Sequence, residues 1–295
     1  MLTILIVGTA CLGNEKEAQA QKKPSQAKPL PRAETATPSS PDAAAGAYRA
    51  ILYPKGVPRR RSIETGTMET PSFDFVAAAK LRPAGRTVVL YAEEIATRAY
   101  SDHEYHVFLA SVDDAAKRVL DRVSLTDMFP LQLEFPGNFI NLDGVITMLD
   151  VPSHRLLDVT TLTSLSGSGG ISAMSDFFFT VDGSGKLTVV LQLPVTGGYG
   201  RGGWSWARST SSELFIAPSG DEIAIASWTI TRTLAKFGGP VTEKCEAKGP
   251  ELYRLDGRRF VRVARELPEN VHTETMKPIA RPSFMTTRRC VPESK

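Results

Sequence analysis

The sequence predicts an all-β fold made of antiparallel hairpins, on three observations. Apolar and polar residues alternate in short runs, turn residues separate those runs, and Ser175 to Pro194 carries both signals together. In that segment Phe177, Phe179 and Val181 share one parity, Asp182-Gly183-Ser184-Gly185 supplies turn chemistry, and Leu187, Val189, Leu191 and Leu193 resume the alternation. Successive side chains on a strand point to opposite faces, so the two rows meet one core only when paired residue numbers sum to an even number. Phe179 opposite Leu187 or Phe177 opposite Val189 satisfies this and leaves a loop of about three or five residues.

In chain order, residues 1–20 read as a signal-like segment and 21–47 as a tether of Ala, Pro, Ser, Gln and Lys. Such a tether cannot bury enough apolar surface to offset its ordering entropy, so disorder is expected there. A β-domain is expected over 48–267, starting near Tyr48 to Tyr53, with a Pro-rich tail over 268–295. Phe75 to Leu81 reads as helix or strand, and Arg86 to Tyr91 as a strand. His106 to Val112 and Arg118 to Leu125 flank Asp113-Asp114 as a hairpin, and Gly137 to Leu149 is expected to turn at Asp143-Gly144. Arg155 to Leu165 is a further strand. Glu213 to Ala217 and Glu222 to Thr231 are joined by Pro218-Ser219-Gly220-Asp221. The second of these is apolar on both parities, as expected of a strand covered on both faces. A two-residue Asp256-Gly257 turn would set Tyr253 opposite Phe260 and Leu252 opposite Val261.

The turns at Asp143, Asp182, Gly220 and Asp256 lie 39, 38 and 36 residues apart. A period near 40 residues with four strands is that of a propeller blade, so an irregular propeller-like array is expected, with a β-sandwich or an open barrel as the alternative. None of these turns has the carboxylate density of a calcium loop.

Charge and the N-terminus bound the function. A formal net charge of +3 is spread along the chain, with Arg59-Arg60-Arg61 as its one run of three basic residues. That run reads as a solvated loop, and no nucleic-acid partner is expected, since nucleic-acid binders concentrate basic charge on one face. Met1 to Ala10, MLTILIVGTA, is shorter than the roughly 20 apolar residues a membrane-spanning helix needs, and it reads as a signal core. Gly8-Thr9-Ala10-Cys11 resembles the lipobox of bacterial lipoproteins, which implies lipidation of Cys11, a membrane anchor, and a place in the periplasm or at the outer membrane. Cleavage after Ala18-Gln19-Ala20, or an apolar start without function, are the alternatives. With Cys11 lipidated, Cys245 and Cys290 remain as one disulfide pair suited to an oxidising compartment, against the alternative of two unpaired thiols.

No catalytic residue can be singled out. His103 and His106 are one residue short of helical metal-ligand spacing and lead into a strand, so no metal site is expected. Gly198 to Gly203 fits G-x-G-x-x-G without a strand before it or a helix after it, and no cofactor is expected. Ser166 to Gly170 reads as a flexible loop, and Ser25 to Lys28 lies in the tether. Glu93 and Glu94 read as a solvated acidic face. Gly197 to Arg208 is the candidate contact surface: Tyr199, Arg201, Trp204 and Trp206 would offer rings and a cation to a saccharide or peptide ligand. The alternative places both tryptophans in the core of a strand. The expected function is an exported, lipid-tethered envelope protein with a binding or structural role; the alternative is an envelope hydrolase acting on polysaccharide, peptide or ester. Expression of the full reading frame and of Cys11→Ser, followed by membrane fractionation, should leave the wild type with the membrane and release the variant. Equal release of both would refute lipidation.

Overall fold

The order in which the alternating runs pair shows which faces they bury. The computed structural model describes residues 41–62, 65–81, 85–96, 103–128, 138–139, 141–151, 155–165, 171–200, 206–234, 240–269 and 271–280. A helix, α1 (Pro41–Leu52), comes first. Pro41 occupies its opening position, where a missing N–H costs no hydrogen bond, and an alanine-rich run of high helix propensity follows. Residues 41–47, expected in the tether, are thus helical. A short ribbon of β1 (Arg60–Arg61) and β2 (Met68–Glu69) follows.

The first large sheet is an antiparallel meander of β3 (Ser72–Leu81), β4 (Arg86–Ala96), β5 (His103–Asp113) and β6 (Arg118–Ser124), with β7 (Asn138–Phe139) added beside β5. Phe75 to Leu81 is therefore strand. The Asp113-Asp114 turn forms as expected, with the Asp113 carboxylate accepting the Ala115 and Ala116 N–H groups at 3.1 and 2.9 Å.

The second sheet runs in chain order through β8 (Asn141–Asp150), β9 (Arg155–Leu165), β10 (Ile171–Val181), β11 (Leu187–Gly200), β12 (Trp206–Ile216), β13 (Glu222–Leu234), β14 (Val241–Asp256) and β15 (Arg259–Ala264). A last strand, β16 (Lys277–Pro278), pairs with β12. The protein is all-β, as expected. Of the evenly spaced turn signals, those at Asp182, Gly220 and Asp256 fall at alternate hairpins of one continuous ladder and Asp143 lies within a strand, so the described sheets match the sandwich-like alternative and not four-stranded blades.

Among the described residues three clusters define the packing. Leu157, Val159, Phe177 and Phe179 of the second sheet pack against Leu90, Val107 and Leu109 of the first. On the opposite face, Leu156 and Phe178 join Leu214, Ile216, Ile223, Ile225, Phe260 and Ile279. The outer face of the first sheet is closed by Leu52 and Tyr53, which lie on Val89, Tyr91 and Phe108. Beside its five-residue loop the central hairpin keeps the expected parity, with Val181 opposite Leu187 and Phe179 opposite Val189, a register shifted by two residues from Phe179 opposite Leu187. A bulge between Phe178 and Phe179 then sets Phe178 opposite Leu191 and Phe177 opposite Gln192, so Leu191 and Leu193 join the second cluster instead of the core that Phe177 and Phe179 share with Leu187 and Val189. The Asp182 carboxylate organises that loop by accepting the Ser184 and Lys186 N–H groups at 2.8 and 3.0 Å.

Two turns fall elsewhere than expected. Asp143-Gly144 lies inside β8, with Gly144 opposite Thr161. A Cβ there would lie 2.6 Å from Leu90 Cδ2 and 3.1 Å from the Thr160 carbonyl, so this glycine serves the close approach of the two sheets. In the last hairpin Gly257, at φ 59°, and Arg258 form the turn, and Leu255 pairs with Phe260. From Tyr253 to Asp256 this moves the register by two residues and keeps side chains on their expected faces, but a bulge between Leu252 and Tyr253 sets Leu252 opposite Ala264 and not in step with Val261. Of Glu222 to Thr231, expected to be covered on both faces, Ile223, Ala224 and Ile225 are buried on both faces while residues 226–229 are half-buried. Part of the expected tail belongs to the core: the Ile279 N–H donates to the Leu214 carbonyl at 2.9 Å, and Met276 and Ile279 are buried. Cys245 stands on β14 opposite Ile230, while Cys11 and Cys290 lie outside the described residues. No described helix is long and apolar enough to cross a membrane.

Gly144→Ala should lower unfolding stability by about 1–3 kcal/mol, through strain against Leu90 and the Thr160 carbonyl. A denaturant midpoint that falls at unchanged slope checks it, and an unchanged midpoint would refute the close approach.

Candidate functional site

On β4 the residues Val89, Tyr91 and Glu93 alternate onto the face beneath α1, so the row that buries apolar side chains also carries a carboxylate inward. Glu93 is fully buried, opposite Phe73 on β3 and His106 on β5. Burying an ionised carboxylate is costly unless it is paired and hydrogen-bonded. Three separate elements meet this need. Arg60 of β1 donates through Nε to Glu93 Oε2. Arg122 of β6 donates through Nη2 to Glu93 Oε1 at 2.8 Å and to the Tyr53 oxygen at 2.7 Å. Tyr53, just past the end of α1, donates its hydroxyl to Glu93 Oε1.

Aromatic rings hold the two guanidinium groups in place. The Arg122 guanidinium carbon lies 4.0 Å from the Phe108 ring centroid, 5.1 Å from Tyr53 and 5.5 Å from Tyr91. Arg60 lies 5.2 Å from the same Phe108 ring. Tyr53 stands edge-on to Phe73 and Tyr91, completing an aromatic wall. Both arginine side chains keep a solvent-facing part, at 31% exposure for Arg60 and 30% for Arg122, above a carboxylate at 0%.

The electrostatics follow from this burial. The Tyr53 phenol is raised far above its ordinary value, first by burial and then by the Tyr91 hydroxyl, and the two arginines only partly offset this. Tyr91 is raised chiefly by burial as well. Arg60 is held below its ordinary value by burial and then by the Arg122 charge. Two cations over one anion leave a local excess of positive charge, partly open to solvent, with guanidinium planes fixed by ring stacking. That arrangement suits recognition of an oxyanion.

On the neighbouring rung, His106 Nε2 lies 2.9 Å from Oε1 of the fully buried Glu104. β5 begins at His103, three residues before the strand expected from His106, so both histidines are strand residues and not loop residues. Among the described residues no three His, Cys, Asp or Glu side chains come together as a metal-holding group.

The contact residues expected from sequence are placed only in part. Tyr199 lies on β11 opposite Arg208, and Trp206 opens β12 opposite Thr233. Arg201 and Trp204 lie outside the described residues, as do Ser166 to Gly170 and Ser25 to Lys28. Gly198 to Gly200 are strand residues paired with Ala207 to Ser209, which is not the helix-opening context of a dinucleotide site. Glu93 is a correction to the solvated acidic face, and Arg60 a correction to the solvated basic loop. The available signal was the parity of Val89, Tyr91 and Glu93, which places a carboxylate in a buried row and so calls for a cation from elsewhere in the chain. The chain matches no protein-family model, and no curated protein or solved structure matches it significantly.

Raised phenol values mean that the folded protein keeps protons which the unfolded chain releases above the ordinary tyrosine range, about pH 10. Stability from these groups is therefore complete below about pH 10 and declines as pH rises above it. Denaturant midpoints from pH 8 to 11 should show this decline, with a shallower slope for Tyr53→Phe; identical slopes would refute a buried, proton-retaining Tyr53.

Proposed function

We propose that the protein is an exported, lipid-tethered binding protein of the cell envelope whose ligand presents an anionic group to Arg60 and Arg122. Export and tethering rest on the apolar leader ending in Gly8-Thr9-Ala10-Cys11 and on the tether composition after it. In the same reading Cys245 pairs with Cys290, and the ligand is an acidic saccharide or peptide. The observation that carries the binding role is the pair of partly exposed guanidinium groups anchored on a fully buried carboxylate. Ring stacking and the Glu93 anchor preorganise both arginines, so little side-chain entropy is lost when an anion docks. A hydrolase would need an acid or base that exchanges protons with substrate, whereas both Glu93 oxygens are engaged by arginines.

Calorimetric titration of the full chain with glucuronate should be saturable. Arg60→Met and Arg122→Met should each weaken binding about tenfold or more, as loss of one charge-assisted hydrogen bond implies. Wild-type protein that saturates with none of glucuronate, acetate or inorganic phosphate would overturn the anion reading. Release of sugar reducing ends or free amines from envelope polymers would favour the hydrolase instead.

A further inference from the structure

We infer that this site selects a monoanion, and that Glu93 sets the charge its ligand must carry. The inference rests on the anion-binding reading above and adds the ligand's charge class. Arg60 and Arg122 contribute two positive charges and Glu93 one negative charge, while Tyr53 and Tyr91 stay neutral because burial holds their protons. The next carboxylate along the face, Glu104, lies against His106 Nε2 at 2.9 Å. Among the groups in direct contact at the site, Arg60, Arg122 and Glu93, one unit of positive charge remains to be matched.

The donors that would match it are on the outer edges of the arginines. A guanidinium has five N–H groups in a fixed plane. Arg60 commits Nε to Glu93, and Arg122 commits Nη2 to Glu93 and Tyr53. Among the described residues, both terminal nitrogens of Arg60 and the Nε and Nη1 of Arg122 make no further hydrogen bond. An oxyanion with two exposed oxygens would engage both side chains from solvent and bring the cluster to neutrality.

A dianion at the same place would leave net negative charge beside a carboxylate with no exposure to water. Repulsion between like charges is strong where the dielectric is low, and Glu93 cannot leave. Both its oxygens accept from the two arginines, so it stays fixed beneath the ligand. The ligand class is therefore the monoanionic oxyanion, chemistry shared by the carboxylate of an acidic sugar or peptide, a sulfate monoester and a phosphodiester.

The test compares charge at constant chemistry. Full-length wild type is titrated at pH 8 with dimethyl phosphate, a monoanion, and methyl phosphate, a dianion, with glucuronate and methyl sulfate as further arms. Dimethyl phosphate should bind about tenfold or more tightly than methyl phosphate. Glu93→Gln keeps an oxygen for the arginines but removes the charge, and should bring methyl phosphate level with dimethyl phosphate or ahead of it. Wild type that binds methyl phosphate as tightly as dimethyl phosphate overturns the inference and leaves anion binding standing. The same holds for Glu93→Gln protein that retains the wild-type order. Wild type that binds none of the four probes overturns the anion reading itself. The wild-type ratio is decisive without any variant, so a misfolded Glu93→Gln leaves the test intact. The tightest of the three monoanions names the source as sugar acid, sulfate ester or phosphodiester.

Discussion

Burial of both faces of β10 is the constraint on which the rest of the structure depends. Phe177, Phe178 and Phe179 are consecutive and all fully buried, so their side chains must find cores on opposite sides of one strand. Phe177 and Phe179 meet the first sheet, and Phe178 meets the later strands of the second. Each such ring contributes about 1.5–3 kcal/mol by leaving water. A half-solvated sheet could not accommodate this sequence, because one face of β10 would then expose large aromatic side chains. The layered arrangement is the solution: the first sheet covers one side of β9 and β10, and the strands from β12 onward, with Ile279, supply the other.

A polar link ties the two sheets at the same hairpin. The Leu187 N–H donates to Asp121 Oδ2 of β6 at 2.7 Å, and the Ser111 hydroxyl of β5 donates to the Gly185 carbonyl. Asp121 is the neighbour of Arg122, so the strand that is fastened to the central hairpin also presents the guanidinium that holds Glu93. On β6 alternate side chains serve opposite faces, with Asp121 toward the central hairpin and Arg122 toward α1. The candidate site is thereby coupled to the core. Its outer members, Tyr53 after α1 and Arg60 on β1, close over a sheet whose inner face is already filled.

The central hairpin was legible beside its turn because its two apolar rows define their own parity there, but the bulge that carries Leu191 and Leu193 to the second cluster leaves no mark in the alternation. Asp113-Asp114 was legible because a short polar turn separates two clean runs. Asp143-Gly144 misleads for a physical reason. The dipeptide has the right chemistry for a tight turn, but the glycine is needed where Leu90 and Val76 of the first sheet leave no room for a Cβ. In the last hairpin the alternation permits any register shifted by an even number, and the positive φ at Gly257 selects among them. Pro-rich composition suggested an appended tail, yet Met276 and Ile279 are apolar residues that the second core buries.

Local pattern alone determined that this chain is all-β, where most strands lie, and which parity of the central hairpin faces the first core beside its turn. These properties depend on side-chain alternation and turn chemistry, which are written within a dozen residues. Only the tertiary structure decided that Glu93 is buried and that Arg60, Arg122 and Tyr53 meet on it. Those residues lie 33, 29 and 40 positions from Glu93 in the chain, and no periodicity relates them. What joins them is the cost of an unpaired buried charge, a constraint that appears only once the sheets, β1 and α1 have closed around it.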